Sequence, residues 1–472
     1  MIELAICIAA KGYSKEEVLS ILDPLVAEWF SQFPDLTPPQ RFAVVNINEG
    51  RNMLIASPTG SGKTLSAFLS IISELVKLGR EGRLEDRLYC IYISPLRSLN
   101  NDIYKNLLVP LGAIREIAEK KGYSLPEIRI GVRTGDTTNI ERAQMLKKPP
   151  HILITTPESL AILLCAPKFR EHLRYVRWVI VDEIHELCSS KRGVHLTLSL
   201  ERLKELCIDE FIRIGLSATI HPLEEVAAFL VGYEDGKLRD CVIADTRFVK
   251  PLAITVTSPS SDLVHTSAEY LTRKMYEMIK ELVRKHKTTL VFTNTRSGTE
   301  RVVYHLSRLK AVSAEELAAH HSSLSRELRK DVEGRLKEGR MKVVVTSTSL
   351  ELGIDIGSID LVVQIGSPKS VSRCLQRVGR SGHALDRLSK GVLMPLERDD
   401  LVEDAVIASE ALKGNLDRVY IPKGCLDVLA QHIVGTAVEK KWKVEDAHRV
   451  ITRSYCYRDL PIEKFKRVLK YL

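Results

Sequence analysis

LIASPTGSGKTLSAF, residues 54–68, sets three kinds of chain end to end. An apolar, strand-like run is followed by Ser57-Pro58-Thr59-Gly60-Ser61-Gly62, and Lys63-Thr64 then opens an amphipathic stretch that reaches Leu78. Strand, glycine loop and helix in that order form the context a phosphate cradle requires. Glycines let successive N–H groups turn toward one anion, and the helix start adds partial positive charge. Lys63 has the length to reach β and γ phosphates, and the Thr64 hydroxyl suits Mg²⁺. Gly60, Ser61, Gly62, Lys63 and Thr64 are therefore candidate ATP-binding residues.

Working outward, short β-branched runs alternate with longer amphipathic stretches. LYCIYIS (88–94), HILITT (151–156), RWVIVD (177–182) and FIRIGLS (211–217) read as strands, and TLSAFLSIISELVKL (64–78) as a helix. That alternation predicts an α/β fold with parallel sheets covered by helices on both faces. The rhythm stops at TSPSSDLVHTS (257–267), which suits a linker. It resumes with TLVFTNT (289–295), KVVVTST (342–348), LVVQIGS (361–367) and GVLMPL (391–396). The expected organisation is a first domain over 1–257, a linker over 258–267, a second domain over 268–412 and a small helical segment over 413–472. In that last segment CLDVLAQHIVGTAVEKKW (425–442) and LPIEKFKRVLKYL (460–472) carry helical periodicity. The first residues, MIELAICIAAKGYS, read as the opening turns of a helix; they lack a basic leader.

WVIVDEIHELCSS (178–190) ends a core strand in two adjacent acids. Asp182 and Glu183 repel each other and resist burial, so a cation is expected beside them. The glycine loop supplies the reason: Asp182 is assigned to the Mg²⁺ shell together with Thr64, and Glu183 to the attacking water. A zinc-protease reading of HELCS needs a second histidine where Ser189 stands, and fails. Hydrolysis also needs positive charge opposite the γ phosphate. CLQRVGRSGH (374–383) in the second half offers Arg377 and Arg380, three apart and so on one face of a helix, as arginine fingers; a solvated basic stripe is the plainer fate of such a pair.

The 472 residues allow about three domains. With 44% hydrophobic and 27% charged residues the composition is that of a globular protein, and no run approaches the ~18 apolar residues of a bilayer span. An intracellular protein without a membrane role is expected. Nine cysteines without a C-x-x-C pair point to reduced, buried thiols rather than zinc. The net charge of +9 favours a polyanionic partner.

These residues resemble superfamily 2 helicases of the DEAD/DEAH type, and within them the large helicase-related (Lhr) family. FPDLTPPQ (33–40) is similar to the adenine-reading element, with Gln40 as the reader. SPTGSGKT, SPLRSLNND (94–102), TTPESL (155–160), VDEIHE (181–186) and LSAT (216–219) follow in the family's order. LVFTNTRS (290–297), HHSSLS (320–325), TSTSLELGIDIG (346–357) and QRVGRSGH (376–383) follow in the second half, and LDVLAQHIVG (426–435) is similar to the start of the family's winged helix. The resemblance implies two tandem RecA-like domains followed by a partial winged-helix segment. It implies 3′-to-5′ movement on single-stranded DNA, unwinding of DNA:DNA or RNA:DNA duplexes, and a place in repair or recombination. Gln40, Lys63, Thr64, Asp182, Glu183, Arg377, Arg380 and His383 are then expected around the nucleotide, Gly353 and Asp355 at the domain interface, and Ser217 and Thr219 in coupling. Ser94, Arg97, Asn101, Thr134, Gly135, Thr156, Thr295, Arg296, Ser322 and Thr346 are the expected strand-binding residues, and they suit backbone rather than base contacts. Each could instead be a helix cap or turn residue. Two other readings stand beside this one: an ATP-switched binding or annealing module, and an RNA helicase.

Overall fold

The structure, a computed structural model, describes residues 5–58, 60–95, 97–247, 251–351, 357–382 and 388–472, without the side chains of 97–102, 105, 106 and 326. It divides into two compact units. One comprises Met1–Ser57, Gly62–Thr246 and Arg418–Leu472; the other is Arg247–Asp417 with Pro58–Ser61.

The first unit is built on eight strands: β1 (Ile6–Ile8), β2 (Met53–Ala56), β3 (Cys90–Ile93), β4 (Ile130–Arg133), β5 (Ile152–Thr155), β6 (Trp178–Val181), β7 (Ile212–Ser217) and, after the short hairpin β8 (Tyr233–Glu234) and β9 (Lys237–Leu238), β10 (Cys241–Asp245). They run parallel in the order β1-β10-β2-β7-β6-β3-β5-β4. Alternation along each strand feeds two cores. Leu54 and Ala56 enter one cluster with helices Lys191–Leu206 and Leu223–Val231; Met53 and Ile55 enter the other with helices Pro38–Asn48 and Lys63–Arg80. Both faces are therefore apolar, as a sheet with helices on each side demands. Helix Lys63–Arg80 buries Phe68, Leu69, Ile72, Leu75 and Val76 on that second face, each contributing about 1.5–3 kcal/mol.

The second unit has six parallel strands in the order β11-β16-β15-β12-β14-β13, with β11 (Leu252–Val256), β12 (Thr289–Phe292), β13 (Leu317–His320), β14 (Val343–Thr346), β15 (Leu361–Ile365) and β16 (Ser389–Met394). The tail contributes helices Leu426–Glu439, Val444–Thr452 and Ile462–Tyr471. Leu429, Ile433, Tyr455 and Phe465 of the tail share a core with Val194, Leu198 and Leu203 of helix Lys191–Leu206. Polar bonds fix the same seam: Ser454 Oγ donates to Thr197 Oγ1 at 2.8 Å, Lys191 pairs with Asp427 at 2.6 Å, and the buried Arg202 pairs with Glu439.

Four expectations are corrected. The N-terminal apolar run forms β1, parallel to β10 through Ile6↔Cys241, rather than a helix. β11, expected in the first domain, pairs with β16 through Leu252↔Ser389, so the boundary falls at Thr246/Arg247. The polar stretch after it is a turn inside the second unit, organised by Ser258, Ser260 and Asp262 hydrogen bonds. The tail groups with the first unit, because its apolar faces are buried there.

Glu201 is the charge centre beneath β7. At 1% exposure it accepts from Arg213 at 2.7 Å and from Arg239 at 3.1 Å. Replacing it strands a buried guanidinium, so Glu201→Ala should lower the unfolding free energy of the first unit by about 3–5 kcal/mol. Denaturant titration followed by circular dichroism measures this; a change below about 1 kcal/mol would contradict the ion-pair account.

Candidate nucleotide and nucleic-acid site

All strands of the first sheet are parallel, so their C-terminal ends share one edge. Reading across it, β2 leads into Ser57 and the glycine loop, β7 ends at Ser217, and β6, β3, β5 and β4 are followed directly by Asp182, Ser94, Thr156 and Thr134. The phosphate and acid residues thus occupy one half of the edge, and three of the expected strand-binding positions the other.

Gly60 and Gly62 have φ of +77° and +84°, the left-handed region that glycine reaches without strain. A Cβ on Gly62 would stand 3.1 Å from Thr37 Oγ1 and 3.7 Å from Gln40 Nε2, which places the Gln40 segment against the loop. Gln40 Oε1 accepts the Thr37 N–H at 2.8 Å, leaving its Nε2 toward the loop as a donor. The Ser57 N–H donates to Ser217 O at 3.0 Å and ties the loop to β7. Ser61 Oγ donates to Pro58 O at 2.8 Å within the loop. Lys63 and Thr64 open helix Lys63–Arg80.

Lys63 is 7% exposed; its Nζ makes no hydrogen bond among the described residues and stands 3.6 Å from Glu183 Oε2. Asp182 and Glu183 are 3% and 2% exposed. Burial first, and then the Glu183 charge, push the Asp182 carboxyl up to about 7 against the opposing pull of Lys63. Asp182 Oδ1 accepts the Glu183 N–H at 2.9 Å and its Oδ2 accepts the Tyr92 hydroxyl. Glu183 sits at φ +46°, a left-handed conformation that costs a non-glycine residue about 1–3 kcal/mol.

His185 and Tyr92 were not assigned roles from the sequence. His185 Nδ1 accepts the Ala218 N–H at 3.2 Å, so Nε2 carries the ring proton and faces Glu183 Oε2 at 3.5 Å. Burial lowers the imidazole to about 4, which keeps it neutral at physiological pH. It connects the acid pair to Ser217–Thr219. The available signal is the pairing of DEIH with a downstream SAT.

In the second unit Arg377 is 2% exposed, and its guanidinium is committed within that unit. It donates to Glu351 Oε2 at 2.9 and 3.2 Å, to Gln364 Oε1 at 2.6 Å and to Asn294 Oδ1 at 3.3 Å, and lies 5.1 Å from the Phe292 ring centre. Helix Val371–Val378 ends before Arg380, so the two arginines do not share a helix face as expected; Gly379 begins the turn. Arg380 Nη2 donates to Glu351 O at 2.8 Å. Glu351 thus anchors both, and Arg373 as well at 3.0 Å.

Among the strand-binding candidates, Thr156 and Thr295 cap helices, accepting from Ser159 N at 3.4 Å and Gly298 N at 3.0 Å. Thr134 forms a turn with Thr137 and precedes Gly135. Arg296 donates to Ser323 Oγ at 2.9 Å, Ser322 is exposed, and Ser94 and Thr346 are fully buried. Asp355, His383 and Gly353 lie outside the described residues, as do the side chains of Arg97 and Asn101. All nine cysteines are free, and the described residues hold no group of three or more metal-ligating side chains from histidine, cysteine and acids.

Two parallel α/β units, the first with a glycine loop, lysine and buried acid pair at its strand ends, define the RecA-like class of P-loop proteins. The DEAD/DEAH box helicase family matches residues 37–226, the helicase conserved C-terminal domain 273–384, and the winged helix domain of the large helicase-related protein 409–472. The chain is 58% identical over 466 residues to the ATP-dependent helicase Lhr-Core protein 2 of Thermococcus barophilus, covering 98% of this chain and 54% of that protein. It is 58% identical over 463 residues to the ATP-dependent helicase Lhr-Core of Methanothermobacter thermautotrophicus, with the same coverage. The solved structure of Mycobacterium smegmatis helicase Lhr bound to ssDNA and AMP-PNP superimposes with a TM-score of 0.86 at 40% identity, over 96% of this chain and 58% of that one. The chain belongs to the superfamily 2 DEAD/DEAH-type helicases and, within them, to the large helicase-related (Lhr) family. It spans about half the length of the curated relatives it matches.

His185→Ala removes the acceptor of the buried Ala218 N–H and should cost about 1–3 kcal/mol of stability. It should also lower nucleic-acid-stimulated ATP turnover more than unstimulated turnover. Equal loss of both rates would assign His185 to packing alone.

Proposed function

We propose that this chain is an ATP-dependent helicase or translocase that moves 3′-to-5′ on single-stranded DNA and separates DNA:DNA or RNA:DNA duplexes. The carrying observation is the buried Lys63–Glu183–Asp182 group on the same sheet edge as Ser94, Thr134 and Thr156. The binding of ssDNA and AMP-PNP by the mycobacterial relative supports the same pairing of ligands. An intracellular site of action follows from that substrate, and no helix among the described residues is long and apolar enough to cross a membrane.

Lys63 Nζ, buried beside the acid pair, is placed to bind phosphate oxygens, and loop N–H groups from Gly60 to Thr64 add donors. The buried Asp182 carboxylate beside a hydroxyl-bearing helix start is a donor set that fits Mg²⁺, with Asp182 and Thr64 as its holders. When bound, the ion would offset the acid pair's repulsion and the triphosphate's charge. Glu183 accepts a proton from the attacking water, held in place by its strained backbone and the neutral His185. Gln40 presents its amide to the base. Arg380 counters charge that builds on the γ phosphate, while Arg377, spent on Glu351, Gln364 and Asn294, acts by positioning it. Asp355 and His383 complete the proposed nucleotide shell. Arg97, Asn101, Gly135, Thr295, Arg296, Ser322 and Thr346 extend the strand path, and capped helix starts such as those at Thr156 and Thr295 suit backbone phosphates.

Lys63→Ala should cut ATP turnover by about 10²–10³-fold or more. Near-normal turnover would overturn the phosphate assignment. Single-stranded DNA should stimulate the wild-type ATPase more than RNA of the same sequence, and a labelled strand should leave a 3′-tailed duplex. Stronger stimulation by RNA favours the RNA-helicase reading, and turnover without strand release favours the switched binding module.

A further inference from the structure

We propose that Tyr92 is a positioning residue: its hydroxyl sets the Mg²⁺-holding carboxylate of Asp182 and links it to the strand that leads into the nucleic-acid contacts. This rests on the ATP-site reading above.

Tyr92 lies on β3, which stands between β6, the strand that leads into Asp182, and β5, the strand that leads into Thr156. The side chain is fully buried. A buried phenol keeps its polar tip only where a partner exists, and here the tip donates to Asp182 Oδ2. With Oδ1 held by the Glu183 N–H at 2.9 Å, both carboxylate oxygens have donors, and the group is confined to one orientation. The phenol donates, as a neutral group must to a carboxylate; burial holds its own ionisation well above the ordinary tyrosine range. Its ring stacks on Phe68, centroids 5.4 Å apart at 21°. Phe68 belongs to the helix that Lys63 and Thr64 open.

One side chain therefore touches the acid pair and the phosphate helix, and stands two positions before Ser94, the residue that directly follows β3. A valine or isoleucine at position 92 would satisfy the sheet and the core but could make neither the hydrogen bond nor the stack. A displacement of β3 by nucleic acid at Ser94 would be felt at Asp182 through the phenol. A carboxylate held in one orientation is ready to receive a cation without reorganising, whereas a loose one must be ordered first.

The test compares wild type with Tyr92→Phe, which keeps the ring and its stack and deletes only the donor. Binding of a fluorescent, non-hydrolysable ATP analogue is titrated with Mg²⁺, and melting midpoints are recorded alongside. The expected result is a rise of about 5-fold or more in the half-saturating Mg²⁺ concentration, with binding of the analogue in chelator unchanged within about 2-fold. Phe68→Leu removes the stack but keeps the hydroxyl, and should leave the Mg²⁺ midpoint in place. Should Tyr92→Phe not purify folded, Tyr92→Leu carries the same expectation. A Mg²⁺ midpoint within 2-fold of wild type overturns the proposal, as does a shift in Phe68→Leu equal to that in Tyr92→Phe. Wild type that binds the analogue without any Mg²⁺ dependence overturns the ATP-site reading itself, a result distinct from an unshifted variant.

Discussion

Two carboxylates are buried side by side at the end of a core strand, with the Lys63 ammonium group near them. Everything around Asp182 and Glu183 can be understood as a response to that charge problem. Lys63 lies within ion-pair range of one, a phenol and a backbone N–H donate to the other, and a neutral imidazole turns its N–H toward the pair. These contacts reduce the electrostatic cost without removing it, since burial and the Glu183 charge still hold the Asp182 carboxyl above the ordinary carboxylate range. A folded protein that retains an uncompensated buried charge is storing free energy that a cationic ligand can release. The left-handed backbone at Glu183 belongs to the same arrangement, a conformation that a non-glycine residue keeps only where its surroundings hold it.

The second unit solves a mirror-image problem with opposite charges. Arg377 is among the largest fully buried side chains of the described residues, and Glu351 neutralises it with two hydrogen bonds. The same glutamate binds Arg373 through its side chain and Arg380 through its carbonyl. Three guanidiniums converge on one residue at the end of a hydroxyl-rich segment, so motion of that segment would carry all three together. Removing Arg377 would therefore disturb more than one positive charge, and loss of activity on its replacement is not by itself evidence that it touches phosphate.

Most of the architecture was legible because the strands announce themselves. Runs such as CIYI, ILIT and WVIV are largely apolar and buried on both faces, as a doubly covered parallel sheet requires. The glycine loop was legible because phosphate chemistry constrains residue type at nearly every position. β1 and β11 escaped for a physical reason: three to five apolar residues have no measurable period, and their partners, Cys241 and Ser389, lie far along the chain. Tyr92, His185 and Glu351 escaped because their roles depend on neighbours that adjacency of strands creates, β3 beside β6 and helix Val371–Val378 beside Glu351. The one visible trace was a tyrosine in an otherwise aliphatic strand, which needs a partner for its hydroxyl.

The first unit is discontinuous, completed by Arg418–Leu472 only after the whole of Arg247–Asp417 has been passed. During synthesis, the nascent chain exposes the apolar face of helix Lys191–Leu206 well before Leu429, Ile433 and Phe465 exist to cover it. At roughly 5–20 residues per second this interval lasts on the order of ten seconds or more, ample time for the intervening unit to fold. Biogenesis of this protein thus has a built-in order, with the inserted block finished while its host still waits for its lid, and with a sticky surface that a chaperone would have to shield meanwhile.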